Sequence, residues 1–206
     1  YNPFHNGHQY HIRQAKKLTQ QPVIVAMSGS FMQRGEPAIL SKWQRAALAV
    51  SCGADLVLEL PCAFTLRSAE FFAQGGVSLL AASGCVNALC CGVESADCDF
   101  PALARIACDA GVQAQLQALL RQGTSYASAW EQLFAAHSEK LEKPLSSPND
   151  ILALSYTQAI IRHGYDIEPL YIQRRDSGYN STEISSTLAS ATAIRQALAT
   201  GNASWQ

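Results

Sequence analysis

The sequence begins with Tyr1-Asn2-Pro3-Phe4-His5-Asn6-Gly7-His8, and a helical pattern follows directly, from about residue 8 to residue 19. His5 and His8 are three positions apart, so their imidazoles can face the same side of a first helical turn. The N–H groups at a helix start carry partial positive charge, and Gly7 lets an anion approach the backbone closely. Two imidazoles there can donate hydrogen bonds to phosphate oxygens, so the stretch predicts an anion site. The spacing alone also allows two surface histidines beside a turn, or one histidine that caps the helix.

Short apolar runs beyond this stretch alternate with helical patterns. Each run ends near Gly, Ser or Pro, which is typical of buried parallel strands. The alternation predicts βαβ units with right-handed crossovers, and therefore an α/β fold with a Rossmann-like, doubly wound parallel sheet. The predicted strands cover residues 22–27, 55–60, 86–91 and 168–173, and the predicted helices cover about 8–19, 42–51, 67–82, 148–163 and 191–198.

Two features depart from a regular alternation. Residues from about 100 to 142 carry helical patterns and no strand signal, so we expect a helical insertion beside the sheet. A phosphate-binding helix start normally follows the first strand of such a sheet, but only four residues precede His5. We therefore expect residues 1–206 to form one catalytic domain whose first strand lies outside them.

The composition is that of an ordinary globular protein. Of the 206 residues, 48% are hydrophobic and 15% are charged, and no apolar run approaches the roughly 18 residues that a membrane span requires. No basic stretch followed by an apolar segment opens the chain, so we expect no membrane association and a cytoplasmic location. The net charge of −1 offers no general attraction to a polyanion, so any contact with nucleic acid must be local. Nothing in the composition predicts an oligomeric state.

Seven cysteines, an odd number, lie in apolar surroundings and lack paired C-x-x-C spacing. The pattern favours reduced thiols over disulfides, and core residues over a zinc site. They are Cys52, Cys62, Cys85, Cys90, Cys91, Cys98 and Cys108.

A second polar stretch, Ser190-Ala191-Thr192-Ala193-Ile194-Arg195, can be paired with the histidine motif at residues 5–8. His5-Asn6-Gly7-His8 resembles the H-x-G-H signature of the nucleotidyltransferase superfamily that includes class I aminoacyl-tRNA synthetases, and the second stretch resembles its late Ser/Thr-rich signature. Two helix N-termini on opposite sides of a switch point can clamp one triphosphate. The resemblance implies that Ser190, Thr192 and Arg195 form a phosphate clamp. A plain helix cap with a surface arginine is the alternative.

Longer stretches narrow the resemblance to the bacterial tRNA(Met) cytidine acetate ligase family, from residue 1 to about residue 199. Members of that family activate acetate with ATP as acetyl-adenylate and then transfer the acetyl group to N4 of the wobble cytidine in elongator tRNA(Met). The resemblance therefore implies a tRNA-modifying ligase that uses acetate, tRNA, ATP and Mg²⁺, with the Mg²⁺ carried by ATP rather than by protein side chains. The stretches are YNPFHNGH (1–8), MSGSFMQRGEPA (27–38), DLVLELP (55–61), RSAEFF (67–72) and SPNDIL (147–152).

The same resemblance implies the site residues. His5 and His8 are catalytic, and Gly92, at a strand end, permits close approach of a ligand. Asn149 can read ribose or base, although it can equally cap a helix, and Arg174 can neutralise phosphate charge, although a surface ion pair is the alternative. The implied ATP contacts are Tyr1, Asn2, Pro3, Phe4, His5, Asn6, Gly7, His8, Gln9, Tyr10, His11, Gly92, Asn149, Arg174 and Arg175.

A local basic cluster of Arg34, Lys42 and Arg45, beside Gln33, suits the acceptor RNA or pyrophosphate, and solvated surface charges are the alternative. The chain has about half the length expected of the family, so we expect an RNA-binding C-terminal portion to lie outside it. Two other functions stay open. One is a small-molecule adenylyltransferase of the same fold, acting on a nucleotide or a pantetheine phosphate, and the other is a non-catalytic nucleotide- or RNA-binding module.

Overall fold

The structure, a computed structural model, describes residues 1–137, 147–174 and 191–200. The predicted elements are confirmed with small shifts of their ends, and the helical stretch from residue 100 divides into three consecutive helices. In chain order the elements are α1 (Asn6–Thr19), β1 (Ile24–Ser28), α2 (Lys42–Ser51), β2 (Leu56–Leu60), α3 (Cys62–Thr65), α4 (Ala69–Ala82), β3 (Ala88–Val93), α5 (Phe100–Cys108), α6 (Ala110–Arg121), α7 (Tyr126–His137), α8 (Pro148–His163), β4 (Glu168–Gln173) and α9 (Ala191–Ala199), with a 3₁₀ helix (Gln33–Gly35) between β1 and α2.

The strands pair in parallel, as predicted for an α/β fold. Val25 of β1 lies opposite Val57 of β2, and Cys91 of β3 lies opposite Tyr171 of β4. Within the described ranges, however, the strands form two separate two-stranded sheets rather than one continuous sheet. Both β1 and β3 line a cavity of about 460 Å³.

Two apolar clusters attach the helices to the strands. Val93 of β3 and Phe100 of α5 are fully buried, and they pack in one cluster with residues of α7 and α8. Ile12 of α1 and Met27 of β1 belong to the second cluster, together with Ala49 of α2. Burying a side chain of this size contributes about 1.5–3 kcal/mol, so these clusters fix α1 and α8 against the strands that they flank.

Helix α8 starts at a position that its own sequence defines. The N-cap residue Ser147 accepts hydrogen bonds from the backbone N–H groups of Asn149 and Asp150, and Pro148 occupies the first helical position, where its missing N–H costs nothing. The helix ends at Gly164, whose φ of 63° lies in the left-handed region. These signals place Asn149 and Asp150 in the first turn, next to the end of β3.

Two adjacent glycines of α4 yield a matched prediction. A Cβ atom at Gly75 would overlap the side chain of Phe64, whereas a Cβ atom at Gly76 would be 4.0 Å from the nearest atom, Cε1 of Tyr156. Gly75→Ala is therefore expected to lower the free energy of unfolding by about 1–3 kcal/mol through overpacking. Gly76→Ala is expected to leave it unchanged or raise it by up to about 1 kcal/mol, since alanine favours helix. Urea unfolding of both variants checks this, and equal effects would contradict it.

Candidate functional site

The two histidines of the N-terminal motif form the start of α1 together. His5 is the N-cap residue, and its Nδ1 accepts a hydrogen bond from the backbone N–H of Gly7 at 3.1 Å. His8 reaches back in turn, so that its Nδ1 accepts a hydrogen bond from the backbone N–H of His5 at 3.3 Å. The result is a reciprocal capping box made of imidazoles, with ring centroids 3.7 Å apart. The capping role that the sequence left open is therefore present, and both rings share one face.

These hydrogen bonds determine where each ring carries its proton. A neutral imidazole has one donor and one acceptor nitrogen, and Nδ1 accepts in both rings, so Nε2 must be the protonated donor. Burial, with a smaller contribution from the charge of Arg174, lowers the pKa of His5 to about 4. Burial likewise lowers the pKa of His8 well below its usual value, with the nearby positive groups adding to the effect. Both rings are therefore neutral at pH 7, and each offers an Nε2–H group to a ligand in the cavity that they line.

Aromatic packing holds His8 from the other side. The ring of Tyr1 lies 4.5 Å from the ring of His8, and the ring of Phe4 lies 5.5 Å from it, centroid to centroid. Tyr1 and Phe4 also contact each other edge to face at 4.9 Å. Such pairs contribute about 0.5–1.5 kcal/mol each beyond burial, so the imidazole is held in one orientation before a ligand arrives.

His11 lies one turn further along α1 and also lines the cavity. Its Nε2 is buried, and it has no hydrogen-bond partner in the described part of the chain. Burial, followed by the charge of Arg174, lowers the pKa of His11 to about 4. An unpartnered buried nitrogen is costly, so a polar ligand atom or another chain segment at this point would stabilise the protein.

The low pKa of His11 predicts how stability depends on pH. The pKa is about 4 in the folded protein, whereas an unfolded chain has the ordinary histidine pKa of 6.5 and therefore binds the proton more readily. The stability that depends on a neutral His11 is fully present above pH 6.5 and is lost as the pH falls toward 4. At pH 5 the loss in the free energy of unfolding amounts to about 2 kcal/mol. His11→Phe keeps a ring but cannot titrate, so its free energy of unfolding should fall less between pH 7 and pH 5. Denaturant unfolding at both pH values checks this, and parallel losses in the two proteins would contradict it.

Residues at the ends of β3 and β4 line the same cavity as the histidines. The side chain of Arg174 passes over Gly92, where an added Cβ would be 3.3 Å from Arg174 Cγ, so a side chain at position 92 would press on the arginine. Arg174 lowers the pKa values of His5, His8 and His11, which places its positive charge close to the histidines. Neutral donors and one cation therefore face the same space, as a polyphosphate requires.

Sequence reasoning missed Glu94, which lies two residues after Gly92. Its Oε1 lies 3.2 Å from Arg174 Nε and accepts a hydrogen bond from Asn149 Nδ2 at 2.7 Å. Its Oε2 accepts a hydrogen bond from the hydroxyl of Ser147. An acidic residue just after a strand, near the ligand edge of an α/β sheet, is a signal that could have identified it.

The predicted ATP contacts divide into two groups. Some line the cavity, and others support those that do. The side chain of Asn2 is buried, and its Oδ1 accepts a hydrogen bond from the backbone N–H of Ile39 at 2.9 Å, so it anchors the segment rather than facing a ligand. The residues that line the cavity are Tyr1, His5, Gly7, His8, Tyr10, His11, Gly92, Asn149 and Arg174. The residues that do not line it are Asn2, Pro3, Phe4, Asn6 and Gln9. Arg175 lies outside the described residues.

The predicted RNA contact at Arg45 is wrong. Arg45 is 0% exposed, so it cannot meet a macromolecule. Its guanidinium donates hydrogen bonds to four backbone carbonyl groups, of Tyr1, Ser28, Gly29 and Leu40. The residue is internal because these carbonyls converge on the start of α2, an arrangement that a local sequence pattern does not reveal.

The other two basic residues of the cluster differ from Arg45. Lys42 is half-buried, and its ammonium group lies 2.6 Å from Glu59, so its charge is already paired. Arg34 belongs to the 3₁₀ helix, and its side chain lies outside the described part of the structure. RNA contact by these two residues stays a prediction.

The predicted phosphate clamp is described in part. Arg195 donates a hydrogen bond to the backbone carbonyl of Asn2 at 2.8 Å, and its second terminal nitrogen lies 3.3 Å from Thr192 Oγ1. Helix α9 therefore contacts the segment that carries His5 and His8, but neither Thr192 nor Arg195 is among the residues that line the cavity, so the phosphate clamp stays a prediction. Ser190 lies outside the described residues.

The cysteines are free thiols, but their surroundings are not uniformly apolar. Cys91 is buried, and burial raises the pKa of its thiol to about 12. Cys62 and Cys85 are exposed, which corrects the expectation that all of them lie in the core. In the ranges that the structure describes, no three His, Cys, Asp or Glu residues are grouped so as to hold a metal ion. No helix among the described residues is long and apolar enough to cross a membrane.

Comparison with known proteins adds independent findings. A family profile described as HIGH Nucleotidyl Transferase matches residues 1–206. The chain is similar to the tRNA(Met) cytidine acetate ligase of Acetivibrio thermocellus, with 41% identity over 98% of this chain and 50% of that relative. It is also similar to the tRNA(Met) cytidine acetate ligase of Limosilactobacillus reuteri, with 44% identity over 96% of this chain and 51% of that relative. The chain thus spans about half the length of the curated relatives that it matches.

Two crystal structures of Thermotoga maritima TmcAL have the same fold. The apo form has a TM-score of 0.88, and the form bound with alpha-thio ATP has a TM-score of 0.86, each at 36% sequence identity. Both alignments cover 98% of this chain, with 50% and 49% of the respective crystal chains.

Proposed function

This chain belongs to the HIGH nucleotidyl transferase family, and from that membership we propose that it is the catalytic part of an ATP-dependent acetate ligase. It activates acetate as acetyl-adenylate and transfers the acetyl group to N4 of the wobble cytidine of elongator tRNA(Met), which gives N4-acetylcytidine. The resemblance to tRNA(Met) cytidine acetate ligases is confirmed by relatives at 41% and 44% identity. ATP, acetate and tRNA are the proposed substrates, and the cytoplasm is the proposed location.

The observation that carries this proposal is that His5, His8 and Arg174 line the same cavity. Two neutral imidazoles with protonated Nε2 atoms can donate hydrogen bonds to phosphate oxygens without a prior change of protonation. Arg174 supplies a permanent positive charge, and the missing side chain of Gly92 leaves room for the arginine side chain to cross the strand end. A triphosphate in this cavity would meet both the imidazole donors and the cation.

In the first half-reaction, an acetate oxygen attacks the α-phosphorus of ATP, and the bond from that phosphorus to the bridging oxygen of pyrophosphate breaks. Acetate is already ionised at pH 7, so this step needs no general base. His5 and His8 act by donating hydrogen bonds to oxygens that gain negative charge in the transition state. Mg²⁺ carried by ATP would supply further charge neutralisation.

In the second half-reaction, the cytidine N4 attacks the acyl carbon of acetyl-adenylate. The bond from this carbon to the AMP oxygen breaks, AMP leaves, and the nitrogen loses one proton. The target base must leave its stack in the anticodon loop to reach the acyl carbon, since a stacked base keeps the acyl group out of range. The proposed contacts of Arg34 and Lys42 with RNA belong to this step.

An exchange assay tests the proposal. Full-length protein is incubated with ATP, acetate and labelled pyrophosphate, and acetate-dependent incorporation of label into ATP is expected. Incubation with labelled acetate and total tRNA should then yield N4-acetylcytidine on nucleoside analysis. Exchange that ignores acetate but requires a nucleotide or a pantetheine phosphate would refute the proposal in favour of a small-molecule adenylyltransferase. ATP binding without any exchange or adenylate would instead indicate a non-catalytic nucleotide-binding module.

A further inference from the structure

Glu94 connects two groups that the proposed nucleotide site uses. Its Oε1 lies 3.2 Å from Arg174 Nε and 2.7 Å from Asn149 Nδ2, so one carboxylate oxygen holds both side chains. Arg174 extends from the end of β4, and Asn149 lies in the first turn of α8. Glu94 therefore bridges two elements that are far apart in the sequence.

The backbone that carries Glu94 is itself held at several points. Its N–H donates to Asp150 Oδ1 at 2.9 Å, and its carbonyl accepts from Gln173 Nε2 at 2.9 Å. Asp150 is 1% exposed and also accepts hydrogen bonds from the N–H and the hydroxyl of Ser95, so the anchor is buried and rigid. Because its backbone is held in this way, the Glu94 carboxylate can fix the positions of the flexible side chains that contact it.

We propose that Glu94 is a positioning residue for ATP binding. Its carboxylate holds Arg174 and Asn149 in the arrangement that binds the nucleotide. This inference rests on the proposed function. In the described part of the structure, Glu94 contacts Arg174 at Nε, on the side edge of the guanidinium. The end-on edge, formed by the two terminal nitrogens, is not the edge that this contact uses, so it can form a fork toward phosphate oxygens. Ordering a long arginine side chain is entropically costly, and the Glu94 contact meets part of this cost before ATP binds.

The alternative is that Glu94 only stabilises the fold, through its hydrogen bond with the N-cap residue Ser147. The two roles differ in what a substitution changes. A fold-stabilising carboxylate affects the unfolding midpoint and leaves the ATP affinity of the folded protein unaltered. A positioning carboxylate affects ATP affinity, and it does so through Arg174 and Asn149.

The test compares Glu94→Ala and Glu94→Gln with Glu70→Ala in the full-length protein. Glu70 is a suitable control because it forms an ion pair with Arg162 at 2.6 Å with similar exposure, outside the cavity. Calorimetric titration with ATP should show about tenfold weaker binding for Glu94→Ala, since hydrogen bonds to charged groups are lost. Glu94→Gln should retain part of the affinity because an amide oxygen can still accept from Arg174 and Asn149. Glu70→Ala should match the wild-type protein.

A double-mutant cycle with Arg174→Ala identifies the route of the effect. If Glu94 acts through Arg174, adding Glu94→Ala to Arg174→Ala should weaken ATP binding much less than tenfold. The KM for ATP in the exchange assay should rise accordingly, with a smaller change in kcat.

Three results would overturn the inference while the proposed function survives. They are unchanged ATP affinity of Glu94→Ala, tighter binding that shows the carboxylate repelling phosphate, and fully additive effects with Arg174→Ala. Failure of the wild-type protein to bind ATP would instead overturn the proposed function, and this inference with it.

Discussion

His8→Asn is expected to lower acetate-dependent ATP–pyrophosphate exchange about 100-fold while the protein remains folded. His8 uses its two ring nitrogens for different tasks, because Nδ1 accepts from the backbone N–H of His5 and Nε2 is left for the ligand. The Oδ1 atom of asparagine is as many bonds from the backbone as Nδ1, so it can keep the capping hydrogen bond. The donor at Nε2 is lost, and with it the proposed hydrogen bond that strengthens as charge develops on the phosphates.

The complementary variant is His8→Gln, whose amide nitrogen can take the place of Nε2. Its Oε1 can accept from the backbone N–H of His5, as Oε1 of Gln44 accepts from the backbone N–H of Ser41 in the capping box of α2. His8→Gln should therefore retain more exchange activity than His8→Asn, and both variants should unfold at a similar denaturant concentration. If His8→Gln lost as much exchange activity as His8→Asn, the assignment of the donor role to Nε2 would be wrong.

Arg45→Ala is expected to lower the free energy of unfolding by about 4 kcal/mol, which is the scale for removing one partner from a buried charged network. The guanidinium is fully buried and serves the carbonyls of Tyr1, Ser28, Gly29 and Leu40. Removing it leaves these acceptors unpaired and opens a cavity. Arg45→Lys should also destabilise strongly, since one ammonium group cannot reach all four carbonyls in the fork geometry.

Lys42→Ala provides the control for Arg45, because both residues lie on α2 and both are basic. The Lys42–Glu59 ion pair is partly exposed, so its loss should change the free energy of unfolding by no more than about 1 kcal/mol. Urea unfolding of the three variants, monitored by circular dichroism, measures the difference. A loss below about 1 kcal/mol for Arg45→Ala would contradict the buried-network interpretation.

The contrast between His5 and Arg45 shows which features are predictable from the sequence. The histidine motif is local: its spacing, its glycine and the following helical pattern all lie within a few residues, so the helix start and the shared face of the rings could be predicted. Arg45 is internal because distant carbonyls converge on it, the farthest being that of Tyr1, 44 positions away. A basic residue on an amphipathic helix normally lies at the surface, and the sequence pattern gives no sign of the exception.

The strands and Glu94 show the same difference between local features, which are predictable, and long-range contacts, which are not. The strand positions could be predicted because apolar runs are local, but the pairing of β3 with β4 joins residues about 80 positions apart and depends on packing. Glu94 acquires its importance through that pairing, which brings Arg174 beside Gly92, and through the position of α8, which brings Asn149 within 2.7 Å of the carboxylate. A residue whose partners are all distant has no local signature beyond its position at the end of a strand.

The hydrogen bond from Arg195 to the carbonyl of Asn2 links positions 193 residues apart. During synthesis, Asn2 leaves the ribosome long before Arg195 is added, and at about 5–20 residues per second the interval is roughly 10–40 seconds. A nascent chain therefore carries His5 and His8 without the helix that docks beside them. Unfinished chains, and chains clipped before α9, would therefore lack the contact that holds this helix against the segment of His5 and His8.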